Sequence, residues 1–373
     1  MGLNPRSLPD FPWDALIPYR EHAAKHPDGA IDLSVGTPVD PTPGVIRDAL
    51  AAAADSPGYP ATHGTPELRQ AVVDWFARRR GVPGLDVAAV LPTVGSKEFV
   101  ALLPALLGLG EGDVVVHPAV AYPTYDVGAR LAGATPLASD DPHAWESVDG
   151  VKLVWVNSPG NPTGAVASRE QLAEVVAAAR RIGAIVASDE CYAELAWEPP
   201  YAGSATPSIL DPVVTGGRFD GLIAVYSLSK QSNLAGYRAA FAAGDPAIIA
   251  ALLEVRKHAG FMVPAPVQAA TVAALGDDEH VRAQRDVYRR RREILAKALV
   301  GAGFRIDLSH AGLYLWATRG EDCWATIDWL AGLGVVATPG SFYGAGGGEH
   351  VRIALTATDA SIFGAALRLT NAR

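Results

Sequence analysis

The chain has few of the residues that build disulfide-linked or membrane-spanning proteins. Its two cysteines, Cys191 and Cys323, are too few for a disulfide framework. Proline, glycine or a charged residue interrupts every apolar run before it reaches about 18 residues, the length needed to span a membrane. The opening residues are polar and rich in proline, without the apolar stretch of a signal peptide, so we expect a cytoplasmic protein that does not bind membranes.

Several binding chemistries lack their usual sequence marks. The formal net charge is −9, which argues against nucleic acid as a partner. No GxxxxGK[ST] loop occurs, and Gly108–Gly112 follows a predicted helix and precedes a strand, the reverse of a dinucleotide-binding turn. His22 and His26 could share one helix face, but no third ligand accompanies them, and we expect no metal site.

What the chain does contain predicts an α/β protein. A length of 373 residues, 49% of them hydrophobic, is more than one compact core usually holds. Within residues 41–280, apolar strand-like runs alternate with alanine-rich helical runs, which predicts a large domain with a mainly parallel sheet covered on both faces. Residues 281–373 predict a smaller α+β domain, and residues 1–40 an N-terminal arm that forms part of it. We expect the loop Pro200–Gly217 to lie at a substrate entrance.

The segment around Lys230 is the most informative in the chain. The apolar run Gly221–Tyr226 predicts a buried strand that ends in Ser227, Ser229 and Lys230. Lysine is costly there unless its amine is used covalently, as a Schiff base with a carbonyl cofactor. The two serines and Arg238 suit a phosphate, and a carbonyl and a phosphate together suggest pyridoxal 5′-phosphate. A strand-end lysine that points to solvent is the alternative.

Asp189 ends a second predicted strand, Ala184–Ser188. A buried carboxylate keeps a pyridine nitrogen protonated, and ligands of open α/β sheets bind at the carboxyl ends of strands, where both Asp189 and Lys230 fall. Tyr192, three residues later, could donate to the ring hydroxylate. The alternative for Asp189 is a helix N-cap.

Three loops and one late strand complete the candidate site. Asn157–Gly164 contains two prolines and two glycines, a rigid turn that can hold an asparagine amide in place. Ser96 and Lys97 begin a predicted helix whose free N–H groups suit an anion. Tyr122 could stack on a pyridine face. Arg352 lies in an alternating strand, where its guanidinium could bind an α-carboxylate in bidentate fashion. The alternatives are an ordinary turn for Asn157–Gly164 and a common helix start for Ser96 and Lys97. For Tyr122 the alternative is a core tyrosine, and for Arg352 it is a solvent-facing arginine.

Taken in order along the chain, these segments resemble the class I and II aminotransferases of pyridoxal-phosphate fold type I. The resemblance implies a covalent cofactor on the catalytic Lys230. It implies a cofactor-binding set that comprises Ser96, Lys97, Tyr122, Asn161, Asp189, Tyr192, Ser227, Ser229, Lys230 and Arg238, together with Tyr59, which would reach the phosphate of a neighbouring subunit. It also implies a substrate-binding set of Gly36, Asn161 and Arg352.

The same resemblance implies the reaction. Such enzymes exchange an amino group between amino acids and 2-oxo acids by ping-pong kinetics and usually form homodimers. The segments Leu8–Asp14 and Ile31–Pro38 are similar to those of actinobacterial succinyldiaminopimelate transaminases of lysine biosynthesis, which implies 2-oxoglutarate and glutamate as the partner pair. An aspartate or broad-range transaminase, a β-lyase or decarboxylase on the same fold, and a non-enzymatic cofactor-binding regulator are the alternatives.

Overall fold

The structure is a computed structural model that describes Leu8, Pro9 and residues 11–372. Part of the expected N-terminal arm, and Asp10 of its opening segment, therefore lie outside the described residues. The strands are β1 (Ile31–Asp32), β2 (Val90–Val94), β3 (Val114–His117), β4 (Thr135–Ala138), β5 (Val151–Asn157), β6 (Ile185–Asp189), β7 (Leu222–Ser227), β8 (Ala239–Gly244), β9 (Arg305–Ile306), β10 (Tyr314–Thr318), β11 (Val335–Val336), β12 (Thr338–Pro339) and β13 (Val351–Ala354).

Helices connect and cover these strands. They are α1 (Ile17–Ala23), α2 (Gly44–Ala52), α3 (Pro66–Arg80), α4 (Ser96–Leu106), α5 (Thr124–Ala132), α6 (Pro142–Glu146), α7 (Arg169–Ile182), α8 (Pro212–Thr215), α9 (Pro246–Ala259), α10 (Ala265–Gly276), α11 (Glu279–Gly301), α12 (Cys323–Gly332) and α13 (Asp359–Asn371). A short 3₁₀-helix, Pro12–Leu16, precedes α1. None of the helices in residues 11–372 combines the length and the hydropathy that a bilayer crossing requires.

A seven-stranded sheet organises the larger part of the chain. Its order is β2-β8-β7-β6-β5-β3-β4, and β8 alone runs antiparallel to both of its neighbours. Every residue of β7 is buried, as expected for a strand that helices cover on both faces. One apolar cluster, with Trp75 and Val176, covers one face, and a second, with Phe99 and Tyr125, covers the other. The predicted mainly parallel sheet is confirmed.

The smaller part of the chain contains a four-stranded antiparallel sheet. Its order is β12-β13-β10-β9, and β1 pairs with β11 beside it. Leu16 and Leu33 from the N-terminal segment pack into the same core, and so do Tyr192 and Leu195, which follow β6 of the large sheet. This shared packing holds the small sheet beside the carboxyl ends of the large one. The boundaries near residues 40 and 280 stay a prediction.

Candidate active site

A cavity of about 300 Å³ lies where the carboxyl ends of β5, β6 and β7 face the small sheet. Residues predicted for the site make up much of its lining: Gly36, Ser96, Lys97, Tyr122, Asn161, Asp189, Tyr192, Ser227, Ser229, Lys230, Arg238 and Arg352. Tyr59 is outside this lining, and 96% of its surface is exposed on the loop before α3. The chain thus brings together side chains that lie more than 300 residues apart.

Lys230 faces this cavity. It follows β7, whose last residue, Ser227, donates through its hydroxyl to the hydroxyl of Ser229 at 2.8 Å. The Lys230 ammonium donates to the backbone carbonyl of Gly36, which belongs to the loop after β1. A neutral carbonyl leaves the amine available to a ligand, whereas a buried carboxylate partner would hold it as an ion pair.

Arg238 lies at the N-terminus of α4, the helix that Ser96 begins. Gly95, just before this helix, has φ of +76°, and a Cβ built on it would lie 1.9 Å from a terminal nitrogen of Arg238. Glycine is required there both by its backbone conformation and by this close approach. Free N–H groups of the first helical turn and a guanidinium therefore converge on one point, an arrangement that suits a phosphate.

Asp189 is a buried carboxylate with neutral partners. Tyr125 donates its hydroxyl to Oδ2 at 3.0 Å, and the backbone N–H of Cys191 donates to Oδ1 at 3.2 Å. Burial raises the pKa of Asp189, and these hydrogen bonds offset only part of the rise. Asp189 does not cap a helix, because the residues after it form a turn. A cationic ligand group would supply a positive partner, which none of the residues described around the carboxylate provides.

Asn157 organises the loop that carries Asn161. Its side-chain oxygen accepts from the backbone N–H of Asn161 at 2.8 Å, while its amide donates to the carbonyls of Asp189 and Pro159 at 3.1 and 3.2 Å. The proline-rich turn is thus tied to the end of β6. Asn161 is buried and turns its own side-chain oxygen toward Arg352.

Arg352 is almost fully buried, and its described hydrogen bonds go to neutral oxygens. One terminal nitrogen donates to Oδ1 of Asn161 at 3.0 Å and the other to the carbonyl of Ser34 at 2.6 Å. The guanidinium carbon lies 4.0 Å from the centre of the Tyr314 ring and 5.1 Å from that of Tyr343. A buried cation held this way lacks an anion, which an α-carboxylate would provide.

Aromatic side chains form the mouth of the cavity. Tyr122 accepts a hydrogen bond from the ammonium of Lys97 at 3.3 Å. The ring of Trp13 lies 6.0 Å from that of Tyr122 and 5.7 Å from that of Phe342. The N-terminal 3₁₀-helix therefore contributes a planar apolar wall beside the pair formed by Lys97 and Tyr122.

Comparison with known proteins identifies the family. The family model described as "Aminotransferase class I and II" matches residues 28–368. The chain belongs to this family. It is therefore a pyridoxal-phosphate-dependent transaminase of fold type I, as the sequence resemblance implied.

Two curated proteins and one solved structure are among those to which the chain is similar. The 4-dedimethylamino-4-oxo-anhydrotetracycline transaminase OxyQ of Streptomyces rimosus is 58% identical over 98% of this chain and 100% of its own. The probable aminotransferase Rv1178 of Mycobacterium tuberculosis is 56% identical over 98% of this chain and 86% of its own. The solved structure of a probable N-succinyldiaminopimelate aminotransferase from Thermus thermophilus has a TM-score of 0.84 and 31% identity, and covers 97% of this chain and 100% of its own.

The side chains of this aminotransferase fit pyridoxal phosphate in three respects. The guanidinium of Arg238, which packs against Gly95 at the first turn of α4, suits the phosphate. The buried carboxylate of Asp189 suits a protonated pyridine nitrogen, because its described partners are neutral. The amine of Lys230 suits the carbonyl.

Sequence reasoning missed several lining residues of this aminotransferase. Tyr125 lies three positions after Tyr122 in the same short segment, so helical spacing could have indicated it. Asn157 opens the proline-rich loop but was not singled out within it. Tyr314 and Trp13 carried no local signal, because strand β10 and the N-terminal 3₁₀-helix reach the cavity only through tertiary packing.

The loop Pro200–Gly217, expected at the substrate entrance, lies elsewhere in this aminotransferase. None of its described residues lines the cavity, and it includes the short helix α8. Ser208 and the backbone of Ile209 donate to the buried carboxylate of Glu190, which also pairs with Arg80. Glu190 therefore anchors this loop behind β6 while its neighbour Asp189 faces the cavity.

Proposed function

We propose that this transaminase takes the amino group from an α-amino acid whose α-carboxylate binds Arg352, and passes it to a 2-oxo acid held in the same way. The observation that carries the proposal is the buried guanidinium of Arg352, whose described hydrogen bonds go to neutral oxygens. An amino acid and a 2-oxo acid share the α-carboxylate, so one arginine serves both halves of the reaction.

Pyridoxal phosphate, when bound, supplies a carbonyl that condenses with amines and a ring that takes up the electron pair released at Cα. Lys230 holds the cofactor and, once its amine is free, moves a proton at the substrate Cα. Asp189 holds a proton at the pyridine nitrogen, and Tyr125 orients Asp189. Asn161 orients Arg352 and the bound carboxylate.

The phosphate-binding role falls to the first turn of α4 and the loop after β7. Ser96 and Lys97 contribute N–H groups, while Ser227, Ser229 and Arg238 contribute side chains. Tyr122 would hold the ring, and Tyr192 would hold its hydroxylate oxygen by donating a hydrogen bond. The exposed Tyr59 suits contact with the phosphate of a second copy, in a cytoplasmic homodimer.

For the amino donor we propose N-succinyl-LL-2,6-diaminopimelate, with 2-oxoglutarate as acceptor, in lysine biosynthesis. The sequence resemblance and the likeness to the Thermus structure support it. A second candidate is an amino acceptor of the ketone type that OxyQ is named for, which the 58% identity favours. Trp13 and Tyr122 at the cavity mouth suit a planar polycyclic ketone. Aspartate and other common amino acids are the broad-range alternative.

The covalent role is tested at Lys230. Purified protein incubated with pyridoxal phosphate should absorb in the visible range, be bleached by an amino donor and recover with 2-oxoglutarate. Borohydride should attach the cofactor to Lys230, as peptide mass spectrometry would show. Lys230→Ala should lose both the absorbance and the turnover, and near-normal turnover in that variant would refute the assignment.

A substrate panel separates the candidates. Each donor is tested with 2-oxoglutarate, and the oxo-anhydrotetracycline is tested with glutamate as donor. The succinylated donor should give the highest kcat/KM, and no reaction with it would rule out the assignment to lysine biosynthesis. Release of pyruvate and ammonia without any acceptor would instead indicate a β-lyase.

A further inference from the structure

Two buried tyrosines meet at the inner end of the cavity. Tyr192 follows β6 of the large sheet, and Tyr314 begins β10 of the small sheet. Their hydroxyl oxygens lie 3.3 Å apart, and their rings meet edge to face with centroids 5.9 Å apart. A hydrogen bond thus joins the two sheets beside the position of the cofactor.

Tyr314 is held on its other sides as well. Its ring supports the guanidinium of Arg352 at 4.0 Å. A Cβ built on Gly36 would lie 2.1 Å from the Tyr314 hydroxyl oxygen, so only glycine leaves room for this side chain. The carbonyl of that same Gly36 accepts from Lys230. Tyr314 therefore contacts Arg352, Tyr192 and the loop at Gly36.

A tyrosine hydroxyl carries one proton, so a Tyr192 that donates this proton to a ligand can bind the Tyr314 oxygen only as an acceptor. Burial alone would raise the pKa of Tyr314, but the positive charges of Arg352 and Lys230, together with the hydrogen bond to Tyr192, outweigh it and lower that pKa. Burial, Tyr314 and the Cys191 thiol raise the pKa of Tyr192 well above its usual value, and the charge of Arg352 offsets only part of this rise.

We propose that Tyr314 is a positioning residue that donates its hydroxyl proton to the oxygen of Tyr192 and so strengthens Tyr192 as a donor to the cofactor's ring oxygen. The inference rests on the role of Tyr192 in the proposed function. Hydrogen bonds in a chain polarise one another, so a donor that itself accepts a hydrogen bond donates more strongly. The ring of Tyr314 also holds the guanidinium of Arg352 in place.

The pH dependence of the bound cofactor's absorbance tests the proposal. Removing the hydroxyl in Tyr314→Phe weakens donation by Tyr192, so the ring oxygen keeps more negative charge and the cofactor holds its proton to higher pH. A typical hydrogen bond implies an upward shift of the absorbance midpoint by roughly 0.3 to 1 pH unit. The ring is retained, so the KM of the amino donor should stay within about twofold.

Two comparisons make the test specific to Tyr192. Tyr343→Phe removes another buried hydroxyl near Arg352, from a residue outside the cavity lining. The centre of the Tyr343 ring lies 5.1 Å from the guanidinium carbon of Arg352. We expect this variant to keep the wild-type midpoint. In a Tyr192→Phe background, Tyr314→Phe should cause no further shift, because the coupling runs through the removed hydroxyl.

The outcomes are distinguishable. Wild-type protein that shows no cofactor absorbance would overturn the proposed function and this inference together. This inference alone would be overturned if Tyr314→Phe kept the wild-type absorbance midpoint. The same would follow if Tyr314→Phe shifted that midpoint equally with and without the Tyr192 hydroxyl. Should Tyr314→Phe fail to fold, Gly36→Ala displaces the same hydroxyl by its Cβ and should shift the midpoint in the same direction.

Discussion

The hydroxyl of Tyr125 donates to Oδ2 of Asp189 at 3.0 Å and so joins helix α5 to a strand that ends 64 residues later. The hydrogen bond fixes the rotamer of a buried carboxylate whose described partners are otherwise groups of Cys191. The described hydrogen-bond partners of the Asp189 carboxylate therefore carry no positive charge.

Tyr125→Phe should weaken binding of pyridoxal phosphate. The lost hydrogen bond goes to a charged group and is worth about 1.5–3 kcal/mol, which corresponds to a roughly 10- to 100-fold rise in the cofactor's Kd. An absorbance titration of the apoprotein measures this constant. Tyr226→Phe is the matched control, because the Tyr226 hydroxyl is buried against Gln231 outside the cavity lining. Equal constants in the two variants would contradict the prediction.

Asp189→Asn should stabilise the apoprotein at neutral pH while weakening its binding of the cofactor. Burial raises the native pKa of Asp189 above its ordinary value of 3.8, so its favourable contribution is complete below that value. The contribution is lost as pH rises through the higher native pKa, and at pH 7 the buried charge costs stability. Calorimetry of both apoproteins from pH 4 to 8 should show an advantage of the variant that grows with pH. A variant less stable than wild type at pH 7 would refute this.

Gly95→Ala should abolish phosphate recognition beyond its effect on stability. Gly81→Ala is the matched control, since Gly81 also lies at a helix boundary with φ of +66° but has no heavy atom within 4 Å of a built Cβ. The left-handed backbone of Gly81 costs alanine about 1–2 kcal/mol, and the extended positive-φ backbone of Gly95, with ψ of 157°, costs it roughly 1–3 kcal/mol. Only at Gly95 does the new Cβ displace Arg238. Titration with pyridoxal phosphate and with inorganic phosphate should give weaker binding in Gly95→Ala than in Gly81→Ala. Similar affinities in the two variants would count against the phosphate site.

Arg352→Lys should raise the KM of α-amino acids by roughly 10- to 100-fold, because lysine cannot form the bidentate pair. A primary amine that lacks a carboxylate should react with nearly unchanged kcat/KM. Arg368→Lys is the control, since Arg368 lies outside the cavity lining and donates to the carbonyls of Gly29 and Gly334. If both arginine variants changed amino-acid KM equally, Arg352 would not be the carboxylate-binding residue.

Local patterns were enough to predict the frame of the site. The apolar runs before Asp189 and Lys230 indicated two strands with these residues at their carboxyl ends. The structure shows that the two strands, β6 and β7, pair in parallel. Short segments such as Asn157–Gly164 and the start of α4 carry their turn chemistry in consecutive residues. Such features depend on neighbours along the chain, which the sequence displays directly.

The sequence by itself determined the alternation of strands and helices, the parallel sheet and the side chains at its strand ends, because hydrophobic period and turn residues act locally. Only the tertiary structure decided which distant groups complete the cavity. Tyr314 meets Tyr192 across 122 residues, and Arg352 meets Asn161 across 191. These pairs depend on how the small sheet packs against the large one, and that packing is the sum of many apolar contacts that no single segment encodes.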